Sequence, residues 1–189
     1  MKTLLIGLGG LGSIFVEWVN KAYEHGTIPD GVEFFAADDD IIEPKNIKYQ
    51  NFKPEDVGKN KAEALINRYP YIEFLKKRID NKKDLNGYDY IIVAVDNFPT
   101  RQIVFDYCEG KKTEYLDLRA EGRESFIMTK VSHREANSTL GRSLANGSCQ
   151  KPKGNIEYGY LITAALGFQV MMNALRGIPI VRKKTLIRS

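Results

Sequence analysis

The chain has 189 residues, 43% of them hydrophobic and 28% charged, with a formal net charge of +4. That length supports one well-buried core rather than two, and the mild, mixed basic excess excludes a nucleic-acid footprint, the terminal run VRKKTLIRS reading as a solvated tail. Two cysteines outside any CxxC pair argue against a disulfide framework or a structural zinc site, and no apolar run reaches the ~18 residues of a membrane span. Glycines break the N-terminal apolar run at once, unlike a signal peptide, so the chain reads as cytoplasmic.

TLLIG (residues 3–7) is a short apolar run bounded by glycine, as a buried parallel strand is. From Ser13 to Tyr23 the apolar residues Ile14, Phe15, Trp18, Val19 and Ala22 recur at helical spacing. HGTIPDG breaks that helix, and VEFFAAD reads as a second strand. DDDIIEPKNIKYQNFKPEDVG has no sustained period and predicts a long loop, which inside a compact domain is usually functional. KNKAEALINRY predicts a helix, YIEFLKKRI a third strand, and YDYIIVAVD the strongest strand of the chain. NFPTRQIVFDYCEG opens a helix with Asn97 or Thr100 as its cap.

TEYLDLRAEG and SFIMTKVSH predict two later strands joined by Glu121-Gly122-Arg123. REANSTLGRSLANGSCQKPKGN reads as a polar surface loop, EYGYLITAALGFQVMMNALRG as a long apolar helix ended by Gly177, and IPIVRKKTLI as an edge strand. Strand–helix alternation makes the expected fold α/β: a Rossmann-like, mainly parallel twisted sheet with helices on both faces. Antiparallel strands belong to its C-terminal half, and one domain covers residues 1–189.

Gly7, Gly9, Gly10 and Gly12 follow the first strand and open the first helix. Small residues there let backbone N–H groups and the positive helix N-terminus approach phosphate; close strand–helix packing without a ligand uses the same residues. The second strand ends in Asp38, Asp39 and Asp40, where an acid can accept hydrogen bonds from ribose hydroxyls. Three acids exceed that need and leave open a metal, a polarised network or a solvated loop start. Asp96 and Asn97 end the strongest strand, at the carboxyl edge where open α/β sheets bind ligands. A carboxylate there can hold Mg²⁺ against triphosphate oxygens, whereas Asn97 equally suits a helix cap. Lys61 opens its helix and either neutralises phosphate or stays solvated.

In order and spacing, GLGGLGS, DDDIIEPKNIKYQ, DVGKNKAEAL and IIVAVDNFPTR resemble the ThiF/MoeB/HesA proteins, bacterial relatives of ubiquitin-activating enzymes. NGSCQ followed by the long apolar helix resembles that family's close. The resemblance implies ATP and Mg²⁺ binding and adenylation of a carboxylate on a ubiquitin-like protein's C-terminus, a peptide or a metabolite. It implies that Gly7, Gly9, Gly10 and Gly12 line the phosphates, Asp38 holds the ribose and Asp40 the adjoining network. Asn46 and Gln50 match the family's NLxRQ segment, Lys61 its phosphate-contacting lysine, and Asp96 its Mg²⁺-coordinating aspartate. Asn97 and Arg101 continue its DNxxxR motif, and relatives are commonly homodimers. Lys61 and Asp96 are thus the expected catalytic residues. They are joined by Cys149, whose place in NGSCQ resembles a cysteine that takes the activated acyl group in some relatives. Lys151, Lys153 or Arg142 would lower its pKa; an inert loop cysteine is the alternative. Cys108, in apolar phase with Val104, reads as core.

Three departures from the family pattern bear on activity. The arginine of the RQ pair is Tyr49, and tyrosine cannot supply a bidentate cation. The chain begins at its first strand, without the helices whose arginine reaches a partner subunit's site in many relatives, and the zinc-binding CxxC pairs are absent. The first two remove positive charge from the phosphate site, so a non-catalytic nucleotide-binding or scaffold protein stands as the alternative. An NAD-dependent oxidoreductase is a third reading. No catalytic Lys–Tyr or His–Asp arrangement supports it, and Asp38 follows Gly12 at a longer interval than the usual ~20 residues.

Overall fold

Short apolar strands buried on both faces build the sheet. In the computed structural model, which describes residues 1–121, 124–129, 131–139 and 158–178 and the backbone of 183–188, the elements run β1 (Lys2–Ile6), α1 (Gly10–Glu24), β2 (Glu33–Ala37), α2 (Lys61–Leu65), β3 (Glu73–Leu75) and β4 (Tyr90–Val93). They continue as α3 (Phe98–Cys108), β5 (Glu114–Glu121), β6 (Glu124–Thr129), α4 (His133–Asn137), α5 (Gly159–Leu175) and β7 (Lys183–Arg188). The sheet order is β3-β2-β1-β4-β5-β6-β7. Pairing is parallel from β3 through β5, and antiparallel between β5 and β6 and between β6 and β7. This is the expected α/β, Rossmann-like arrangement.

Successive side chains of a strand point to opposite faces, and the two faces feed two cores. Leu5, Ile92, Leu116 and Leu118 pack with Phe15, Val16 and Val19 of α1 and Met171 and Met172 of α5. Leu4, Ile6, Ile91 and Val93 pack with Val104 and Phe105 of α3. Phe168 seals α5 to α1 through edge contacts with Phe15 at 5.8 Å and Trp18 at 6.1 Å. Phe15, Val16 and Val19 are fully buried, each contributing roughly 1.5–3 kcal/mol relative to exposure.

Local chemistry trims three sequence expectations. The helix expected over KNKAEALINRY contracts to α2, with Asn60 capping it by accepting from the N–H of Glu63 at 3.1 Å; Pro70 then disfavours helix at the preceding residue. The polar stretch after β6 is not wholly loop. Ser132 accepts from the N–H of Glu135 and starts α4, which buries Ala136. The long segment between β2 and α2 is tied down by short 3₁₀ turns at Asn46–Lys48 and Pro54–Asp56 and by a bridge between Ile41 and Asn60.

The sheet order reverses beside β1, with β2 on one side and β4 on the other. Such switch points place ligands outside the carboxyl ends of the strands. β5 extends that edge, because Val93, the last residue of β4, pairs with Asp117 and leaves Leu118–Glu121 beyond it.

Candidate functional site

A cavity of about 330 Å³ opens at this edge, lined by residues that follow β1, β2 and β4 and by the end of β5. The turn after β1 forms its floor. Gly7 has a φ of +97°, and a Cβ there would stand 2.8 Å from the carbonyl oxygen of Ala94; only glycine meets both conditions. Gly9 and Gly10 line the cavity, and among the described residues a Cβ on Gly9 would meet nothing within 4 Å. Gly12 does not line it. A Cβ on Gly12 would stand 1.9 Å from the carbonyl oxygen of Gly7, so this glycine lets α1 close against the turn instead of facing a ligand.

Asp38, Asp39 and Asp40 divide into separate roles. Asp38 accepts from the N–H groups of Leu8 at 2.6 Å and Asp40 at 2.8 Å, which ties β2 to the glycine turn. Burial pushes its carboxyl pKa above the ordinary value, against the pull of Lys61 and those two N–H groups. The Lys61 ammonium donates to Asp40 Oδ2 at 2.7 Å and lies 3.8 Å from Asp38 Oδ2. Burial opposes its charge, but Asp38 and Asp40, with Asp96 adding, hold its pKa above the usual lysine value. Asp39 pairs at 4.0 Å with Arg78.

The remaining motif residues differ in what they touch. Asp96 is exposed at the cavity wall. Asn97 also lines the wall, but its Oδ1 accepts from the N–H of Thr100 at 3.0 Å and caps α3. Gln50 lines the cavity, and its buried Oε1 has no hydrogen-bond partner among the described residues. Asn46 lies outside the lining. Its Oδ1 accepts from the N–H of Glu43 at 2.8 Å, and its carbonyl accepts from Tyr49 and Gln50, so it shapes the turn that presents those two side chains. Arg101 lines the cavity but is only 2% exposed; it pairs with buried Asp117 and donates to the carbonyl oxygens of Val95 and Leu118. Cys149 lies outside the described residues. Cys108 is buried, and burial raises its thiol pKa to about 12, as a core cysteine's would be.

The match that decides the family covers nearly the whole chain: the profile of the ThiF family fits residues 1–184. The chain belongs to the ThiF family. Among curated relatives, the SAMP-activating enzyme E1 of Haloferax volcanii is 30% identical over 118 residues, covering 57% of this chain and 41% of its own length. The ubiquitin-activating enzyme E1 1 of Candida albicans is 34% identical over 73% of this chain and 15% of its own length. The chain thus spans less than half of either relative. The E. coli MccB structure with AMPCPP and MccA covers 100% of this chain and 60% of its own, with a TM-score of 0.73 at 19% identity. PaaA covers 99% of this chain and 60% of its own, with a TM-score of 0.71 at 16% identity. At these identities the likeness is one of fold.

Relative to the ThiF motif residues, the cavity adds Tyr49, Lys77, Arg78, Thr100 and Arg119. Lys77 and Arg78 stood in a basic run after β3 with nothing in their spacing to mark them. Arg119 left a signal: LDLRA sets two charges, Asp117 and Arg119, on one face of the middle of a strand whose other charges, Glu114 and Glu121, stand at its ends.

Proposed function

We propose that this ThiF-family chain binds ATP with Mg²⁺ and transfers AMP to a carboxylate on a ubiquitin-like protein, a peptide or a small molecule. The observation that carries the reading is the convergence of the glycine turn, Lys61 and Asp96 on one cavity at the sheet's switch point. Its relatives include enzymes named for activating SAMP and ubiquitin.

The residues fit a nucleotide. Gly9 opens onto space that a phosphate can enter, and the N–H groups of the turn and the N-terminus of α1 favour an anion there. Asp38, held at the cavity edge by the Leu8 N–H, would accept from ribose hydroxyls, and the buried Gln50 Oε1 offers a further acceptor. Lys61 is held cationic by two carboxylates and supplies a fixed positive charge without reorganisation. Mg²⁺ is commonly held by one or two carboxylates plus phosphate oxygens, and the exposed Asp96 carboxylate suits that. The metal's contribution there is to offset charge on the phosphate oxygens.

The reaction asks little else of the chain. The attacking carboxylate is ionised at neutral pH, so no general base is needed. Its oxygen bonds to the α-phosphorus and pyrophosphate leaves with the electron pair, a displacement governed by alignment and by neutralised charge. Cys149, if it takes the acyl group onward, acts after this step.

Calorimetric titration with ATP, with and without Mg²⁺, and with NAD tests the reading on the wild type, Lys61→Ala and Asp96→Ala. Mg²⁺-dependent ATP binding that weakens in both variants is expected. If neither nucleotide binds, a non-catalytic scaffold takes its place; binding of NAD alone replaces adenylation with redox chemistry.

A further inference from the structure

Asp96, the candidate metal ligand, stands on a short segment held from three sides. Behind it, the turn after β1 packs so close that a Cβ on Gly7 would stand 2.8 Å from the Ala94 carbonyl oxygen and 3.0 Å from Val95 Cγ1. After it, Asn97 caps α3 by accepting from the N–H of Thr100. Beneath it, Arg101 Nη2 donates to the carbonyl oxygen of Val95, which belongs to the peptide bond that leads into Asp96. The same Nη2 donates to the Leu118 carbonyl at 3.2 Å, and Nη1 pairs with Asp117 Oδ1. Helical side chains lean toward the helix N-terminus, so Arg101, one turn into α3, reaches back under the loop that precedes it.

The guanidinium is itself fixed by its surroundings. Arg101 is 2% exposed and Asp117 is fully buried. Asp117 Oδ2 also accepts from Arg119 Nε at 2.8 Å, and Arg119 turns the rest of its fork to Thr139, whose Oγ1 accepts at 2.8 Å and whose carbonyl accepts at 3.2 Å. β5 thus anchors Asp117, Asp117 anchors Arg101, and Arg101 anchors the Val95–Asp96 peptide. Swinging that peptide away would strip a buried cation of an acceptor, which a low-dielectric interior makes costly.

We propose that Arg101 is the positioning residue for Asp96: by holding the Val95 carbonyl it fixes the direction in which the Asp96 carboxylate meets Mg²⁺. This rests on the Mg²⁺-dependent ATP binding proposed above and goes beyond it by giving Arg101 a role that needs no contact with the ligand. The Asp96 carboxylate is exposed at the cavity wall, so its aim comes from the backbone that carries it. Mg²⁺ demands near-octahedral geometry, and a carboxylate on a loosely held peptide meets that demand in only part of its orientations. The task suits arginine. A planar fork spans Asp117, Val95 and Leu118 at once, whereas an ammonium is a single point of charge.

Calorimetric titration of the whole chain with ATP, with and without Mg²⁺, reads this role as the ratio of the two affinities. Arg101→Met leaves Asp117 paired with Arg119 and should lower that ratio about tenfold, the usual loss when the group supporting a metal ligand is removed. Arg101→Lys, with a point charge in place of the fork, should lower it too, and decides the matter if the methionine variant does not fold. Adding either substitution to Asp96→Ala should lower the ratio no further, because Arg101 acts through Asp96. A ratio equal to that of the wild type, including the case where both affinities fall together, would overturn the proposal. A further drop in the double variant, or loss of the fold in both single variants, would do the same by leaving Arg101 a purely structural residue. Mg²⁺ dependence in the wild type beside an unchanged ratio in the variants removes this inference alone. A wild type that binds ATP equally well without Mg²⁺, or not at all, removes the reading it rests on.

Discussion

Lys61 donates to Asp40 at 2.7 Å across a separation of 21 residues, closing the segment between β2 and α2 onto the cavity wall. The contact holds an ammonium in place before any phosphate arrives. Lys61→Ala should weaken ATP binding by about ten- to a hundredfold, as expected when a buried charge-assisted hydrogen bond is removed. Calorimetry reads the loss. An unchanged dissociation constant would mean that the ammonium serves only the two aspartates.

Gly12→Ala should destabilise the chain by roughly 1–3 kcal/mol, the usual range for overpacking. Its new Cβ would stand 1.9 Å from the Gly7 carbonyl oxygen, a backbone atom that has no rotamer to change. Urea unfolding measures the cost. Nucleotide affinity should fall as well, because relieving the clash moves the Gly7 turn. Gly9→Ala meets no neighbour within 4 Å among the described residues and should leave stability within about 1 kcal/mol while still obstructing phosphate.

Tyr49 lines the cavity where the family motif carries arginine. Tyr49→Arg should strengthen ATP binding by about tenfold through an added bidentate cation. Equal affinity in the variant would show that Lys77 or Arg78, both on the cavity wall, already fills the place.

Acid stability should depend on Asp56. Burial opposes its charge, but the Lys53 N–H at 2.9 Å, Arg68 and Lys59 outweigh that and hold its carboxyl below the ordinary range. A lowered folded-state pKa contributes stability above the unfolded value of ~3.9, and that contribution is lost as pH falls through the folded value. Asp56→Asn should therefore lower the melting temperature at pH 7 and flatten its decline below pH ~4. Asp38 has the opposite sign: its raised pKa favours the folded state most below the ordinary carboxyl range, and that preference disappears as pH rises through its folded value. A decline below pH ~4 equally steep in Asp56→Asn would assign acid lability elsewhere.

Much of the site was legible because its residues sit at strand ends, and strand ends are local. An apolar run, a glycine turn and a helix place Gly7, Gly9 and Gly10 with no help from the rest of the chain; the same logic puts Asp38 after β2 and Asp96 after β4. Asn97 was legible in two ways at once, and its Oδ1 caps α3 at the cavity wall. Gly12 and Asn46 belong to the same motifs yet support the site from behind, since motif spacing does not say which side of a turn a residue faces.

Pattern and spacing were enough to determine the α/β alternation and to point to the strand ends that line the cavity, because each rests on residues close in the chain, while the order of four motifs carried the resemblance to the family. Tertiary structure alone decided that Lys61 would bridge Asp38 and Asp40, that Arg101 would turn inward, and that Asp117 and Arg119 would meet it under the cavity. Those outcomes depend on strand order and register, which bring side chains from distant segments into a low-dielectric interior where a charge must find a partner or leave an excess.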